Sequence, residues 1–391
     1  MLIEFHMIQN HAPSNLNRDD TGSPKSCFFG DYPRARISSQ CLKRTIRKSE
    51  FFQELNKKYG KSYRTRKLPE LIYKRLIENG IEENEALIIA DRFKKLGKKS
   101  SSSKSSEKSK QIDKSDLSTQ QIMFFSDKEI QNIVDLLLNE LKDKTADKID
   151  MKKIEKKLGS KSLQPITPDI ALFGRMVTSD AFLDIEASIQ VAHAISTNKL
   201  DREFDFFTAV DDFAVAGSLQ EQGAGMVGDI EFNSACYYKY FSLDATSFLE
   251  NMTGKNKEFS EDEITLLTDV IKAFLKAAVY VTPTGKQNTF AAHQLPDLIL
   301  VEVKPKKIPI SYANAFLKPA RPTANQDIID VSISKLCDYI STISKKFNVP
   351  VLNRLWFCTR DISLEGTDPC ENIDELESKL AKLVGEGINN A

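Results

Sequence analysis

One low-complexity segment decides how this chain can be organised. Between Lys94 and Lys114 lie eight Lys, two acids and seven serines, with Leu96 and Ile112 as the only sizeable apolar side chains. Such a stretch cannot bury enough apolar surface to offset the entropy lost on ordering, so residues 97–118 are expected as a disordered loop. Apolar residues at helical spacing flank it in Leu68 to Glu78, Glu82 to Leu96 and Asp127 to Leu141, where Ile130, Ile133, Val134, Leu137 and Leu138 share one stripe. Residues 51–160 therefore read as a helical insertion that interrupts something else.

Outside that insertion the period changes from helical to two. Leu2 to Ile8 sets Ile3, Phe5 and Met7 on one face and Glu4 and His6 on the other, the pattern of a half-buried strand. Asp229 to Phe241 and Leu298 to Val303 read as further strands, and Ser39 to Glu50, Leu183 to Ser196, Glu261 to Val279 and Asp327 to Lys345 as helices. Mixed order around a long insertion predicts an α+β core. At a prior of ~150 residues per domain, 391 residues make two or three units. The most apolar stretch, Ala273 to Val281, is cut by Lys276 and falls far short of the ~18 residues of a membrane helix. The first residues carry neither the basic lead nor the cleavage site of a secretory signal. Cys27, Cys41, Cys236, Cys337, Cys358 and Cys370 form no C-x-x-C pair, and His6, His11, His193 and His293 no H-x-x-x-H pair. Reduced thiols in a cytoplasm, with no metal centre and no cofactor, are the expectation.

The 55 basic and 55 acidic residues cancel overall but not locally. From Ser14 to Lys48 eight basic residues (Arg18, Lys25, Arg34, Arg36, Lys43, Arg44, Arg47, Lys48) meet three acids, whereas Glu203 to Glu250 carries nine acids and one Lys. Charge asymmetry of this kind points to nucleic acid or to assembly through complementary faces. In the basic segment, Ser38 or Ser39 is placed to cap a helix. A turn of about 100° per residue puts Leu42, Thr45, Ile46 and Ser49 on one side and Gln40, Lys43, Arg44, Arg47 and Lys48 on the other. No acid intervenes between Asp31 and Glu50, so the polar side is a cationic strip suited to phosphates, with backbone amides at the helix start adding donors beside Arg36. A solvated charged face is the alternative.

Other motifs carry less. Gly223 to Gly228 is a literal G-x-G-x-x-G, but it runs into the strand-like Asp-Ile-Glu-Phe-Asn instead of opening a helix, so a hairpin tip is preferred to a dinucleotide site. Asp211, Asp212, Asp229 and Glu231 could form a two-metal nuclease cluster or simply charge a solvated hairpin. Phe206, Phe207 and Thr208 could pack a core or stack on bases. His193 reads as a packed histidine on an apolar helix, and Arg175 with Met176 as a cation and a flexible apolar side chain in a turn.

Taken together, Ser14 to Asp20, Arg36 to Arg44, Asp169 to Met176, Ala192 to Thr197, Phe207 to Asp212 and Gly223 to Tyr240 closely resemble, in that order, the CasC-type backbone subunit of type I-E CRISPR Cascade, of the RAMP superfamily. Gly285 to Gln287, Thr289 to Ala292 and Ala313 to Phe316 extend the likeness over most of the chain outside the insertion and the last ~50 residues. The resemblance implies an RRM-like (ferredoxin-like) palm over residues 1–50, 161–200 and 233–391, helical fingers over 51–160 and a β-hairpin thumb over 201–232. It implies CRISPR RNA as ligand, target DNA reached through the guide, head-to-tail contact with copies of the chain, other Cascade subunits as partners, and no catalysis. Arg18, Lys25, Arg36, Ser38, Gln40, Lys43, Arg44 and Arg47 fall where the family's palm holds the guide, Arg175 and Met176 beside its kinks, and Phe206, Phe207 and Thr208 on the thumb. Lys286 and Gln287 join them. The chain departs from the family at Ala214 to Leu219 and in the Ser/Lys insert. An RNA-cleaving relative using Asp211, Asp212 or His193 is the rival expectation.

Overall fold

Thirteen residues at the N-terminus form one strand that is buried on both faces, and the rest of a large sheet is built around it. The computed structural model describes residues 1–94, 116–159, 165–177, 182–209 and 226–389; most of the Ser/Lys segment, Asp211, Asp212, Ala214 to Leu219 and Gly223 lie outside them. In chain order the elements begin with β1 (Leu2–Ser14), β2 (Ser26–Phe29), β3 (Tyr32–Ile37), α1 (Ser39–Arg47) and α2 (Glu50–Tyr59). Next come β4 (Ser62–Thr65), α3 (Leu68–Glu78), α4 (Glu83–Phe93), β5 (Met123–Ser126), α5 (Asp127–Leu141), α6 (Met151–Leu158) and α7 (Pro168–Phe173). After β6 (Ile189–Val191), β7 (Ala194–Ser196), β8 (Glu203–Ala209) and β9 (Met226–Asp244) follow α8 (Ala245–Thr253), α9 (Glu261–Tyr280) and α10 (Gln287–Phe290). The chain closes with β10 (Leu298–Lys304), α11 (Ile328–Phe347), β11 (Asn353–Cys358), β12 (Asp368–Pro369) and α12 (Ile373–Asn389).

Two compact units result: Met1–Phe51, Ile189–Thr246 and Phe259–Ala391 in the first, Phe52–Ser188 and Ser247–Glu258 in the second. The first contains the mostly antiparallel sheet β12-β11-β10-β1-β9-β7-β3-β2, with β6 and β8 paired to β9. On one face of β1, Phe5 and its cross-strand partner Phe241 both pack on Phe274 of α9. The other face meets Tyr312, Phe316 and α11. Among the described residues, no helix is long and apolar enough to cross a membrane.

That second face corrects the expectation of a half-buried strand, because Glu4 and His6 are fully buried. They are tolerated because each has partners: Lys304 bridges Glu4 and Glu302, the latter at 3.1 Å. Tyr240 also donates to Glu4. Glu302 accepts further from Arg354 Nε at 2.7 Å and from the Tyr312 hydroxyl at 3.0 Å. Burial drives His6 down to about 3, so its ring is neutral, and its Nδ1 shares a hydrogen bond with the Tyr238 hydroxyl at 2.8 Å. Two carboxylates thus face two cations. The grouping of Glu4, His6 and Glu302 has the spacing of a metal site, but the Lys304 ammonium already stands between the two carboxylates as their cation.

The second unit is largely helical, as the spacing around the Ser/Lys segment predicts. Ile72 and Leu76 of α3, Ile89 and Phe93 of α4, and Ile130, Ile133, Val134 and Leu137 of α5 form one core. Ser126 and Glu129 close a reciprocal capping box at the start of α5. Leu183 to Ser196, expected as a helix, instead contributes β6 and β7 of the first unit. Ile189 and Val191 alternate as well as they turn, and pairing with Leu243 and Phe241 of the long β9 decides between the two periods.

Candidate nucleic-acid interface

The cationic strip forms where the sequence places it. Ser38 caps α1, its hydroxyl accepting the Cys41 amide at 3.3 Å, while its own amide donates to Asn17 Oδ1 at 2.8 Å. Leu42 and Ile46 are buried, Gln40, Arg44 and Lys48 are exposed, and Lys43 and Arg47 lie half-buried at the edges of the strip. Burial pulls the Lys43 ammonium below the ordinary lysine value. The helix start offers fewer donors than expected: the Ser39 amide goes to His193 Nδ1 at 3.2 Å and the Cys41 amide to Ser38. Arg34, counted among the basic residues of this segment, is no surface cation. Its guanidinium is buried and donates to the carbonyls of Ser196, Thr197 and Phe316 at 2.9, 2.8 and 2.6 Å.

Arg18 and Lys25 belong to a loop held in shape by its own side chains. Asp19 accepts the amides of Thr21 and Ser23 at 3.0 Å each, and Arg18 bridges to Pro24. Buried Asn15 ties this loop to the hairpin root, donating to the carbonyls of Gly22 and Glu231 at 3.0 and 2.9 Å. Gly285 packs against the same loop so closely that a Cβ would lie 2.4 Å from the Leu16 carbonyl oxygen, which makes any other residue there disruptive. Lys286 follows it in left-handed backbone, φ 51°. Arg18, Lys286, Phe204, Asp229 and Glu231 consequently line one open groove of about 240 Å³. Gln287 turns away from this duty: its side-chain amide donates to the Pro283 carbonyl at 3.0 Å and accepts the Ala292 amide at 2.8 Å, fixing its own turn.

The hairpin pairs β8 with the first part of β9, Phe206 opposite Asp229 and Phe207 opposite Gly228. Gly228 therefore lies within a strand pair, as the third residue of β9, and not in the hairpin tip expected over Gly223 to Gly228. Alternation separates the three residues taken from the sequence: Phe206 and Thr208 share one face, and the Phe207 ring covers Gly228 on the other, 2.7 Å from where a Cβ would stand. Phe204, missed in the sequence reading, shares the face of Phe206, and the two are 66% and 69% exposed. Its signal was the spacing of two from Phe206.

In the second unit Arg175 and Met176 part company. Arg175, expected beside RNA, is buried, its Nη1 donating to Glu129 at 2.7 Å and its Nε to the Leu183 carbonyl at 2.9 Å. This corrects its assignment to a surface contact. Met176 is 88% exposed. His193 is likewise moved: it sits exposed in the link between β6 and β7, with Arg36 Nη1 3.4 Å from its Nδ1.

A family model described as CT1975-like protein matches residues 3–385. A chain of a solved "CRISPR RNA-guided surveillance complex, pre-nicking" aligns with a TM-score of 0.76 at 25% identity, covering 98% of this chain and all of that one. A chain of another "CRISPR RNA-guided surveillance complex" shares the fold with a TM-score of 0.59 at 20% identity, over 98% and 99% of the two chains. No curated protein matches.

Proposed function

Because the chain belongs to the CT1975-like protein family, we propose that it is a non-enzymatic, CRISPR RNA-binding backbone subunit of a type I-E Cascade surveillance complex. In this reading the sheet unit is an RRM-like palm, the helical unit the fingers and the β8–β9 hairpin the thumb. Copies stack head-to-tail along the guide, alongside other Cascade subunits, and present its bases to target DNA. The observation that carries it is the exposed stripe Gln40, Arg44 and Lys48 along α1 and its C-cap, beside Arg36 and with no acid between Asp31 and Glu50 in sequence. The full-length likeness to a chain of an RNA-guided complex supports it. Delegating sequence choice to base pairing accounts for a face that offers charge in place of a base-reading pattern.

Labelled single-stranded RNA tests this reading. With ~4 phosphates neutralised per protomer, log K should fall with log salt with a slope of about −3, and the RNA should be recovered intact. Cut products that vanish with His193→Ala or Asp211→Ala would instead support the RNA-cleaving alternative. Met176→Ala is expected to weaken RNA retention by about tenfold while stability changes by no more than ~0.5 kcal/mol, as befits an exposed side chain. A loss of stability with unchanged RNA retention would reverse that assignment.

A further inference from the structure

His193 does something at this face that neither a packed nor a catalytic histidine accounts for. Two N–H donors converge on its Nδ1, the Ser39 amide at 3.2 Å and Arg36 Nη1 at 3.4 Å. An imidazole that accepts at Nδ1 is neutral and carries its single proton on Nε2. The charged groups that reach the ring are both cations: Arg36 on β3 and Lys25 in the loop before β2. From α1 it meets a backbone amide, and no acid faces it among the described residues. A neutral ring stands beside Arg36 and Lys25 without adding to their repulsion.

We infer that His193 is a proton-linked positioning residue of the RNA face: it holds Arg36 while the face is empty and becomes a third cation when an RNA phosphate arrives. The inference rests on the reading of this face as RNA-binding. A phosphate at Arg36 takes over the Nη1 hydrogen bond and offsets the charges of Arg36 and Lys25. The ring then takes a proton from solvent and Nδ1 stops being an acceptor, so the Ser39 amide exchanges it for the phosphate, to which the imidazolium can also donate. Desolvation and the two cations keep the empty-state ring below its ordinary value, so the bound anion acts against a repulsion already present.

The direction follows from linkage: a state that binds more protons gains as pH falls. Affinity for single-stranded RNA should therefore rise by about fivefold from pH 8 to pH 6 in the wild-type chain. In His193→Gln, whose side-chain oxygen can still accept the Ser39 amide but cannot titrate, the rise should shrink to less than about twofold. Equal rises in the two proteins would overturn the inference while leaving RNA binding itself intact. Calorimetry of the wild-type chain with RNA near pH 7, in two buffers of different ionisation heat, gives a second reading that needs no variant. Proton uptake on binding is expected, and none would overturn the inference. A wild-type chain that fails to bind RNA at any pH would overturn both this inference and the function on which it rests.

Discussion

Changing Gln40 and Arg44 together to Glu is expected to lower affinity for single-stranded RNA on the order of 100-fold at ~0.1 M salt. Both side chains are exposed on the same stripe of α1, four residues apart, so the pair replaces one neutral and one cationic group facing the ligand by two anions. The salt slope should flatten by about 1, because roughly one phosphate contact is lost. The fold should not notice. A new acid near the N-terminus of α1 is favoured by the helix dipole and one in its last turn is disfavoured, each by ~0.3–1 kcal/mol, so the two effects oppose. Unfolding can be followed through Trp356, the only tryptophan, which is buried on β11 in the sheet unit. Unchanged RNA affinity in a variant whose unfolding matches the wild type would remove α1 from the binding face.

The second large effect concerns stability. Lys304→Met is expected to destabilise the sheet unit by about 3–5 kcal/mol, since Glu4 and Glu302 would share a buried face with Arg354 as their only remaining cation among the described residues. Burial already raises the Glu4 carboxyl above its ordinary value. For Glu302 burial alone would act the same way, but with His6 neutral it is Lys304 and Arg354 that hold this carboxyl below it. Adding Glu4→Gln to Lys304→Met restores the charge balance and should recover more than ~1 kcal/mol of the loss in a double-mutant cycle. Urea unfolding read through Trp356 measures all four proteins. A single variant within ~0.5 kcal/mol of the wild type, as for an ordinary surface change, would contradict the reading of this network.

How much of this could be read from the sequence depended on whether a local pattern met a local answer. Helices α3 and α5 begin and end where spacing places them, because stripe formation is decided within a few residues. The cationic side of α1 was legible for the same reason. Charge alone, however, does not say which arginines reach solvent. Arg34 and Arg175 are buried on partners 162 and 46 residues away along the chain, Ser196 and Glu129, and no short window contains both members. Glu4 and His6 mimicked the polar side of a half-buried strand for the same reason, their partners lying near residues 240 and 304. The helix expected over Leu183 to Ser196 failed because its apolar residues fit both periods, and the choice is made by β9. Phe204 was within reach, since strand alternation from Phe206 names it.

The most direct measurement is the mass of the complex formed by purified chain on single-stranded RNAs of increasing length. Sedimentation or mass photometry should show mass rising in steps of one 44.1 kDa protomer as the RNA lengthens, with the RNA recovered uncut. A complex that stays at one protomer whatever the RNA length, or RNA returned in fragments, would contradict the account of a scaffold that polymerises along its guide.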